Sequence, residues 1–153
     1  MPQESFDAYR LASARGYAED NVASGRWPVE AAFERALEDF DQSLPQGLGS
    51  PDNYIYEIRD TVLDVTVGVI WFAVIEKNGI RSAFVYDVEV AAAHQRKGHA
   101  REAFKQLEPV VQGMNLQSIG LHVFSQNEAA QALYRTLGYH VTSVNMLKHL
   151  QAQ

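Results

Sequence analysis

A chain of 153 residues, 46% hydrophobic and 21% charged, is long enough to bury the core of one domain and too apolar to stay disordered. A net charge of −6 argues against a nucleic-acid partner, and the absence of cysteine removes disulfides, thiolate metal sites and a cysteine nucleophile. The first ten residues, MPQESFDAYR, lack the basic and apolar regions of a signal peptide, and the apolar run 67–75 is too short for a membrane-spanning helix. A soluble, cytoplasmic protein is expected.

The spacing of apolar residues predicts a helix over 4–24, with Phe6, Tyr9, Tyr17 and Val22 inward and Gly25 as its stop. Pro28 suits the first turn of a second helix, whose apolar face would be Val29, Ala32, Phe33, Ala36, Leu37, Phe40 and Leu44. Glu30, Glu34 and Glu38 read as its solvated stripe. Pro45, Gly47, Gly49 and Pro51 then break the chain. A short strand is predicted over 54–59. The run 65–75 is β-rich and apolar on both faces, as in a central strand covered by helices. Asn78-Gly79 fits a type I′ turn, so the following strand, 81–90, pairs antiparallel with it. Simple alternation puts Phe84, Tyr86, Val88 and Val90 on one side and Val85, Asp87 and Glu89 on the other.

That strand runs into a loop and then Gln95-Arg96-Lys97-Gly98-His99-Ala100, where a helix opens. Glycine and small residues at such a junction let backbone N–H groups approach an anion, typically a phosphate, which the helix dipole also favours. His94, Arg96, Lys97, His99 and Arg101 crowd cations where the dipole disfavours them, a local rule broken in the way expected at a functional site. Ala100, Ala103, Phe104, Leu107, Val111 and Met114 pattern the helix. Pro109 inside it predicts a kink or weakening, with the end near Gly113. A strand over 119–124 follows. Ser125–Glu128 reads as a capping box opening a helix with Ala130, Leu133 and Leu137 inward, stopped at Gly138. A last strand is predicted over 139–147. The fold class is α/β: a mixed, largely antiparallel central sheet with helices on both faces, preceded by two N-terminal helices, all in a single domain, 1–153.

Several side chains have chemistry to offer. Asn127 and Tyr134 lie two turns apart on one helix face; the tyrosine can donate a proton to a leaving group and the asparagine can hold amide-like groups. Asp87 and Glu89 are unusual on a strand covered on both faces, which marks them as proton acceptors unless that face meets water. His122, within an apolar strand, reads as a hydrogen-bonded core histidine. HExxH, metal-spaced histidine pairs and nucleophile-elbow glycines are all missing, so neither a metal nor a Ser-His-Asp site is expected.

Taken together, these features resemble the GNAT superfamily of acyl-CoA-dependent N-acetyltransferases. The resemblance covers 54–150. It rests on Gln95-x-x-Gly98-x-Ala100, which is similar to the family's pyrophosphate loop, and on LHVFSQNEAAQALYRTLGY, 121–139, which is similar to its strand–Asn–helix–Tyr–Gly–aromatic segment. It implies that backbone groups of Val88 and Val90 hold the pantetheine arm in β fashion. The amides of Gln95, Arg96, Lys97, Gly98, His99 and Ala100 would hold the pyrophosphate, Asn127 would contact the arm, and Tyr134 would stand near the sulfur as general acid. Residues 1–45 would form a helical segment on the acceptor side and 54–150 the acyl-CoA-binding core. The family's usual opening strand is not seen here, and Phe84 stands where some members carry a glutamate base. Asp87 matches an acidic position that others, polyamine acetyltransferases among them, carry on the same strand.

The activity this implies is transfer of an acetyl group from acetyl-CoA to an amine of a small molecule or peptide. With no cysteine to carry an acyl group, direct transfer in a ternary complex is expected, with Asp87, Glu89 or water taking the amine's proton. The alternative is a non-catalytic acyl-CoA-binding sensor or regulatory module, against which the presence of Tyr134 counts. The partners expected are acetyl-CoA and an amine acceptor, without nucleic acid or membrane, for a monomer or homodimer. Trp27, Tyr54, Tyr56 and Trp71 are weighed as acceptor contacts, with core packing favoured for each.

Overall fold

Two helices precede the sheet in the computed structural model, which describes residues 1–152. They are α1 (Gln3–Ala23) and α2 (Ala32–Ser43), followed by strands β1 (Asn53–Asp60), β2 (Val65–Lys77) and β3 (Ile80–Val90). Helix α3 (His99–Gly113), the short strand β4 (Ile119–Leu121) and helix α4 (Glu128–Thr136) complete the regular elements. The sheet runs in the order β1-β2-β3-β4; the first three strands are antiparallel and β4 is parallel to β3. Asn78 and Gly79 join β2 to β3 with φ of 55° and 77°, the two positive values that a type I′ turn requires. Among the described residues no strand precedes α1, and no helix is long and apolar enough to cross a membrane.

β2 is apolar on both faces because both faces are covered. Ile70 and Phe72 point towards Phe104, Leu107 and Val111 of α3, which together form the main core. Val69 and Trp71 point the other way, towards Phe6, Tyr9, Phe40 and Leu44 of the N-terminal segment. Small residues, Ala14 and Ala18 against Ala32 and Ala36, let α1 and α2 approach closely beside Trp27. Each large apolar side chain buried in these layers contributes about 1.5–3 kcal/mol.

The structure corrects the side-chain alternation on β3. Trp71 pairs with Asp87 and the next residue, Phe72, pairs with Val85, so Tyr86 is an extra residue without a partner in the register. A β-bulge of this kind shifts everything beyond it to the opposite face. Ala83 and Val85 before the bulge therefore share the α3 face with Val88 and Val90 after it. Asp87 and Glu89 turn towards α1.

Four further expectations are corrected. α2 starts only at Ala32: Ala31 is left-handed, with φ of 57°, which leaves Pro28 to Ala31 outside the helix and Val29 72% exposed. α3 runs through Pro109 unbroken to Gly113. Pro109 and Lys105 are both exposed, so water can satisfy the orphaned carbonyl while Phe104, Leu107 and Val111 hold the buried side. β4 ends at Leu121 instead of Phe124. Residues 139–147, predicted as a last strand, have no regular structure among the described residues.

Candidate active site

β3 and β4 pair over three residues only. Ala83, Phe84 and Val85 pair with Ile119, Gly120 and Leu121, and then the ladder stops while both chains continue. From Tyr86 to Val90, β3 therefore keeps one edge of backbone donors and acceptors free of β4, and 122–124 leave the sheet. Between the diverging chains lies a cavity of about 530 Å³. Asp87, Val88 and Glu89 line it from β3, Tyr134 and Asn127 from the α4 side, and Ser13, Gly16, Tyr17 and Asp20 from α1. The split thus brings together five residues singled out in the sequence, Asp87, Val88, Glu89, Asn127 and Tyr134. Val90 and the 95–100 loop lie outside it.

The two carboxylates differ in their surroundings. The Tyr9 hydroxyl donates to Asp87 Oδ2 at 2.7 Å and the Ser13 hydroxyl donates to the same oxygen at 3.3 Å. Burial pushes the Asp87 carboxyl up, against the opposing hydrogen bonds from Tyr9, Ser13 and the Val88 amide. Burial and the Asp87 charge push the Tyr9 phenol far above its ordinary value, so it stays a donor. Glu89 is more open to solvent. Its carboxyl is also raised, first by burial and then by Asp87 and Asp20, which makes it a stronger base than an ordinary glutamate. Oε1 of Glu89 stands 3.9 Å from the Cβ position built at Gly16, so a small residue there leaves the carboxylate room.

Tyr134 faces these acids across the cavity. Its ring packs edge-on to Phe104, with centroids 5.3 Å apart, and lies 5.8 Å from Tyr139. Burial and then the Asp87 charge raise its phenol, which keeps the proton on at neutral pH. Asn127, not Ser125, caps α4: its Oδ1 accepts the Ala130 amide at 3.2 Å, so its side-chain oxygen is engaged and its amide nitrogen is the group left for a ligand. His122 is corrected from core residue to exposed cavity wall, edge-on to Phe124, because the strand ends one residue before it. Burial and Arg26 hold its pKa below the ordinary histidine value.

The basic loop lies past the end of β3. Gln95 Nε2 donates to the Val90 carbonyl at 2.9 Å, tying the loop to the strand. Arg96 and Gly98 both have positive φ, 61° and 84°, a backbone that gathers N–H groups into a concave, anion-binding arrangement. Gly98 is also the N-cap of α3, and no side chain caps that turn. A Cβ at Gly98 would meet nothing within 4 Å, so the concavity is open. Gln95, Arg96 and Lys97 are exposed, whereas His99 and Ala100 are half-buried. His99 Nε2 stands 3.5 Å from Asp60 Oδ2, an ion-pair distance without a formed hydrogen bond.

Of the four aromatics weighed as acceptor contacts, Trp27 and Trp71 are buried, and Tyr54 stacks on Phe72 at 5.1 Å. Tyr56 is partly exposed on the sheet. Trp71 nonetheless borders the cavity, its Nε1 donating to Asn53 Oδ1 at 2.9 Å. The reading of the sequence missed Ser13, Gly16 and Asp20 as site residues. With Tyr9 and Tyr17, which the apolar spacing marks as inward, they form a stripe at helical spacing on α1, a signal that apolar periodicity alone does not extend to polar residues.

Comparison with known proteins agrees with this architecture. Residues 16–139 match the model of the acetyltransferase (GNAT) family. Two Bacillus subtilis (strain 168) proteins named as N-acetyltransferases are similar over 150 residues. YdgE is 30% identical, covering 98% of this chain and 95% of its own, and YycN is 31% identical, covering 98% and 96%. The crystal structure of YycN superposes with a TM-score of 0.92 over 99% of this chain and 96% of that one. A Pyrococcus furiosus protein, 21% identical, shares the fold with a TM-score of 0.70 over 94% of this chain and 95% of its own. A split sheet whose cavity joins two carboxylates to a tyrosine, with this breadth of similarity, makes the chain a member of the acetyltransferase (GNAT) family.

Proposed function

We propose that the protein transfers the acetyl group of acetyl-CoA to an amine, directly, within a ternary complex. The observation that carries this reading is the split between β3 and β4, with the free edge of β3 along it and Glu89 and Tyr134 on its opposite walls. In this reading the backbone of Val88 and the Val90 amide, whose own carbonyl is held by Gln95, pair with the amide groups of the pantetheine arm. The amides of the Gln95–Ala100 loop and the side chains of Arg96 and Lys97 hold the pyrophosphate, for which the open concavity at Gly98 has room. Acetyl-CoA supplies an acyl thioester, a carbonyl that a neutral amine can attack.

The chain's own groups then handle two protons. An ammonium cannot attack, so one proton must leave the acceptor; Glu89, raised by burial and free of side-chain partners, takes it directly or through water. Asp87 serves by position, its charge and its bonds to Tyr9 and Ser13 fixing α1 against β3. The Tyr134 hydroxyl gives its proton to the departing thiolate, and the second proton, which the acylated nitrogen must shed, restores the tyrosine. Asp20, Asp39, Asp87 and Glu89 around the cavity, against Arg26 alone, favour an acceptor that arrives as a cation. Residues 1–45 would wall the acceptor side and 54–150 would carry the acyl-CoA. The test is turnover of acetyl-CoA with a panel of diamines, polyamines, amino acids and N-terminal peptides. Cationic amines without a nearby carboxylate should be the better substrates. Equal rates for amino acids and diamines would remove the electrostatic part of the reading, and tight binding with no turnover on any amine would leave the sensor module.

A further inference from the structure

Two imidazoles bracket the basic loop, His94 just before Gln95 and His99 just after Gly98. Their rings meet edge-on, with centroids 6.4 Å apart. His94 Nδ1 and His99 Nε2 are both closed off from solvent, and among the described residues neither has a hydrogen-bond partner. A buried polar atom left unpaired carries the cost of its lost hydration, so each of the two calls for a reason.

Against His99 stands Asp60, the last residue of β1. Its Oδ1 accepts the Val62 amide at 2.9 Å and the Leu63 amide at 3.0 Å, which holds the carboxylate in place. Its Oδ2 faces His99 Nε2 at 3.5 Å, and the two side chains are only 14% and 17% exposed. The Leu63 amide, then the Val62 amide and the two imidazoles, keep the Asp60 carboxyl below the ordinary carboxylate range against the effect of burial. It is therefore an anion at neutral pH. A charge-assisted bond between the two needs about 2.7–2.9 Å, so the pair stands one small shift short of closing. Two fields act on the His99 ring in opposite senses. It opens α3, where the positive end of the helix dipole opposes an imidazolium, while the Asp60 charge favours one. Arg59 and Arg101 are turned elsewhere, Arg59 to Asp64 at 2.7 Å and Arg101 to Thr136 Oγ1 at 2.8 Å. The titratable groups against the ring are Asp60 from β1 and His94 from the loop, with Arg96 and Lys97 exposed beyond them.

We infer that His99 takes up a proton when the pyrophosphate of acetyl-CoA reaches the loop, and that Asp60 is the positioning residue that receives the resulting imidazolium. The phosphate charge offsets the helix dipole at this turn and tips the balance of the two fields. Solvent supplies the proton, no other bond breaks, and the Nε2–H closes on Asp60 Oδ2. The start of α3 is then tied to the end of β1 behind the bound anion. His94 stays neutral, since two adjoining imidazoliums would repel. Binding is accordingly tightest at low pH and weakens as pH rises through the histidine range, about pH 5–8. The inference rests on the phosphate reading of the loop.

Calorimetry in two buffers of different ionisation heat, with the dephospho form of CoA as ligand, tests it. That ligand keeps the pyrophosphate but lacks CoA's terminal phosphate, whose own second ionisation at about pH 6 would mask the histidine. Wild type should take up a net fraction of a proton on binding at pH 7. Its Kd should rise about tenfold between pH 6 and pH 8, within the ~5–150-fold span usual for linked equilibria. Asp60→Asn keeps an oxygen for the Val62 and Leu63 amides; it and His99→Gln should each abolish the uptake and flatten the profile. In wild type the ring resonances of His99 should move to the imidazolium form as ligand is added at pH 7, a readout independent of how either variant folds. A merely structural Asp60 would weaken binding equally at every pH, and that result overturns the inference. So does wild-type binding without proton uptake, or an uptake lost in His94→Gln and kept in His99→Gln. Absence of dephospho-CoA binding at any pH would remove the phosphate reading itself, and the inference with it.

Discussion

Gly68 is the position at which a single methyl group tests the geometry of the site. It sits in β2 opposite Val90, and an ideal Cβ built on it collides with the Glu89 carbonyl oxygen while lying only 3.1 Å from Glu89 C and Val90 Cα. All three atoms are backbone, so no side chain can rotate out of the way, and β1 holds β2 from the far edge. In Gly68→Ala the end of β3 must move off by on the order of 1 Å. Overpacking of this kind costs about 1–3 kcal/mol. For a chain of 153 residues that is a fall of roughly 3–10 °C in Tm. The strand that moves carries Val88, Glu89 and Val90, and a 1 Å misplacement of positioned groups costs about 10²-fold in rate. Differential scanning calorimetry and steady-state kinetics, read together, should show both losses, with kcat/KM for acetyl-CoA falling about 100-fold while most of the enzyme is still folded at 25 °C. A variant with unchanged Tm and unchanged kcat/KM would refute the argument, since the close approach of β2 to β3 would then be no constraint on the site.

Three further outcomes follow from the same residues. Gly98→Val should cut CoA affinity by at least about tenfold in calorimetry, because φ of 84° strains any Cβ and the branched side chain fills the open concavity; unchanged affinity would move the phosphate site elsewhere. Asp87→Asn keeps an oxygen for Tyr9 but removes a buried charge whose folded pKa is raised. The wild-type carboxyl favours the fold below its unfolded pKa and loses that favour as pH rises through the folded value, so the asparagine variant should gain Tm at pH 7–8 and lose the advantage towards pH 4. Glu89→Gln should erase the acid limb of the pH profile of kcat/KM, a limb that lies above the ordinary glutamate range in the wild type; an unchanged profile would assign the limb to another group, with His122 on the cavity wall the next to substitute.

How much of this was legible in the sequence depends on how local each feature is. Asn78-Gly79 specifies its own φ values, and the turn came out as read. The 65–75 run is apolar on both sides because two helical layers cover it, and periodicity reports that directly. What alternation does not report is an extra residue: nothing in Phe84-Val85-Tyr86-Asp87 signals that Tyr86 is bulged, since the bulge is a property of the pairing with Trp71 and Phe72. That one residue decides that Val88 faces α3 and Glu89 the cavity. Asp87 was visible as an oddity, but its partners Tyr9 and Ser13 are 78 and 74 residues away, and only the fold brings them to the carboxylate. Pro109 misled because its cost depends on which side of α3 it occupies. The 139–147 segment has a strand's composition, but pairing is decided by the fold, and among the described residues no ladder includes it.

Tyr134→Phe tests the central claim most directly, because it keeps the ring against Phe104 and Tyr139 and deletes only the hydroxyl assigned to the leaving thiolate. Acetyl-CoA affinity and turnover are measured on the same preparation, with a diamine acceptor. Nearly unchanged affinity with kcat lower by roughly 10²–10⁴-fold is the expected result for the loss of one general acid. Full turnover by the phenylalanine variant, or weakened binding with kcat intact, would contradict it and make the tyrosine a binding group.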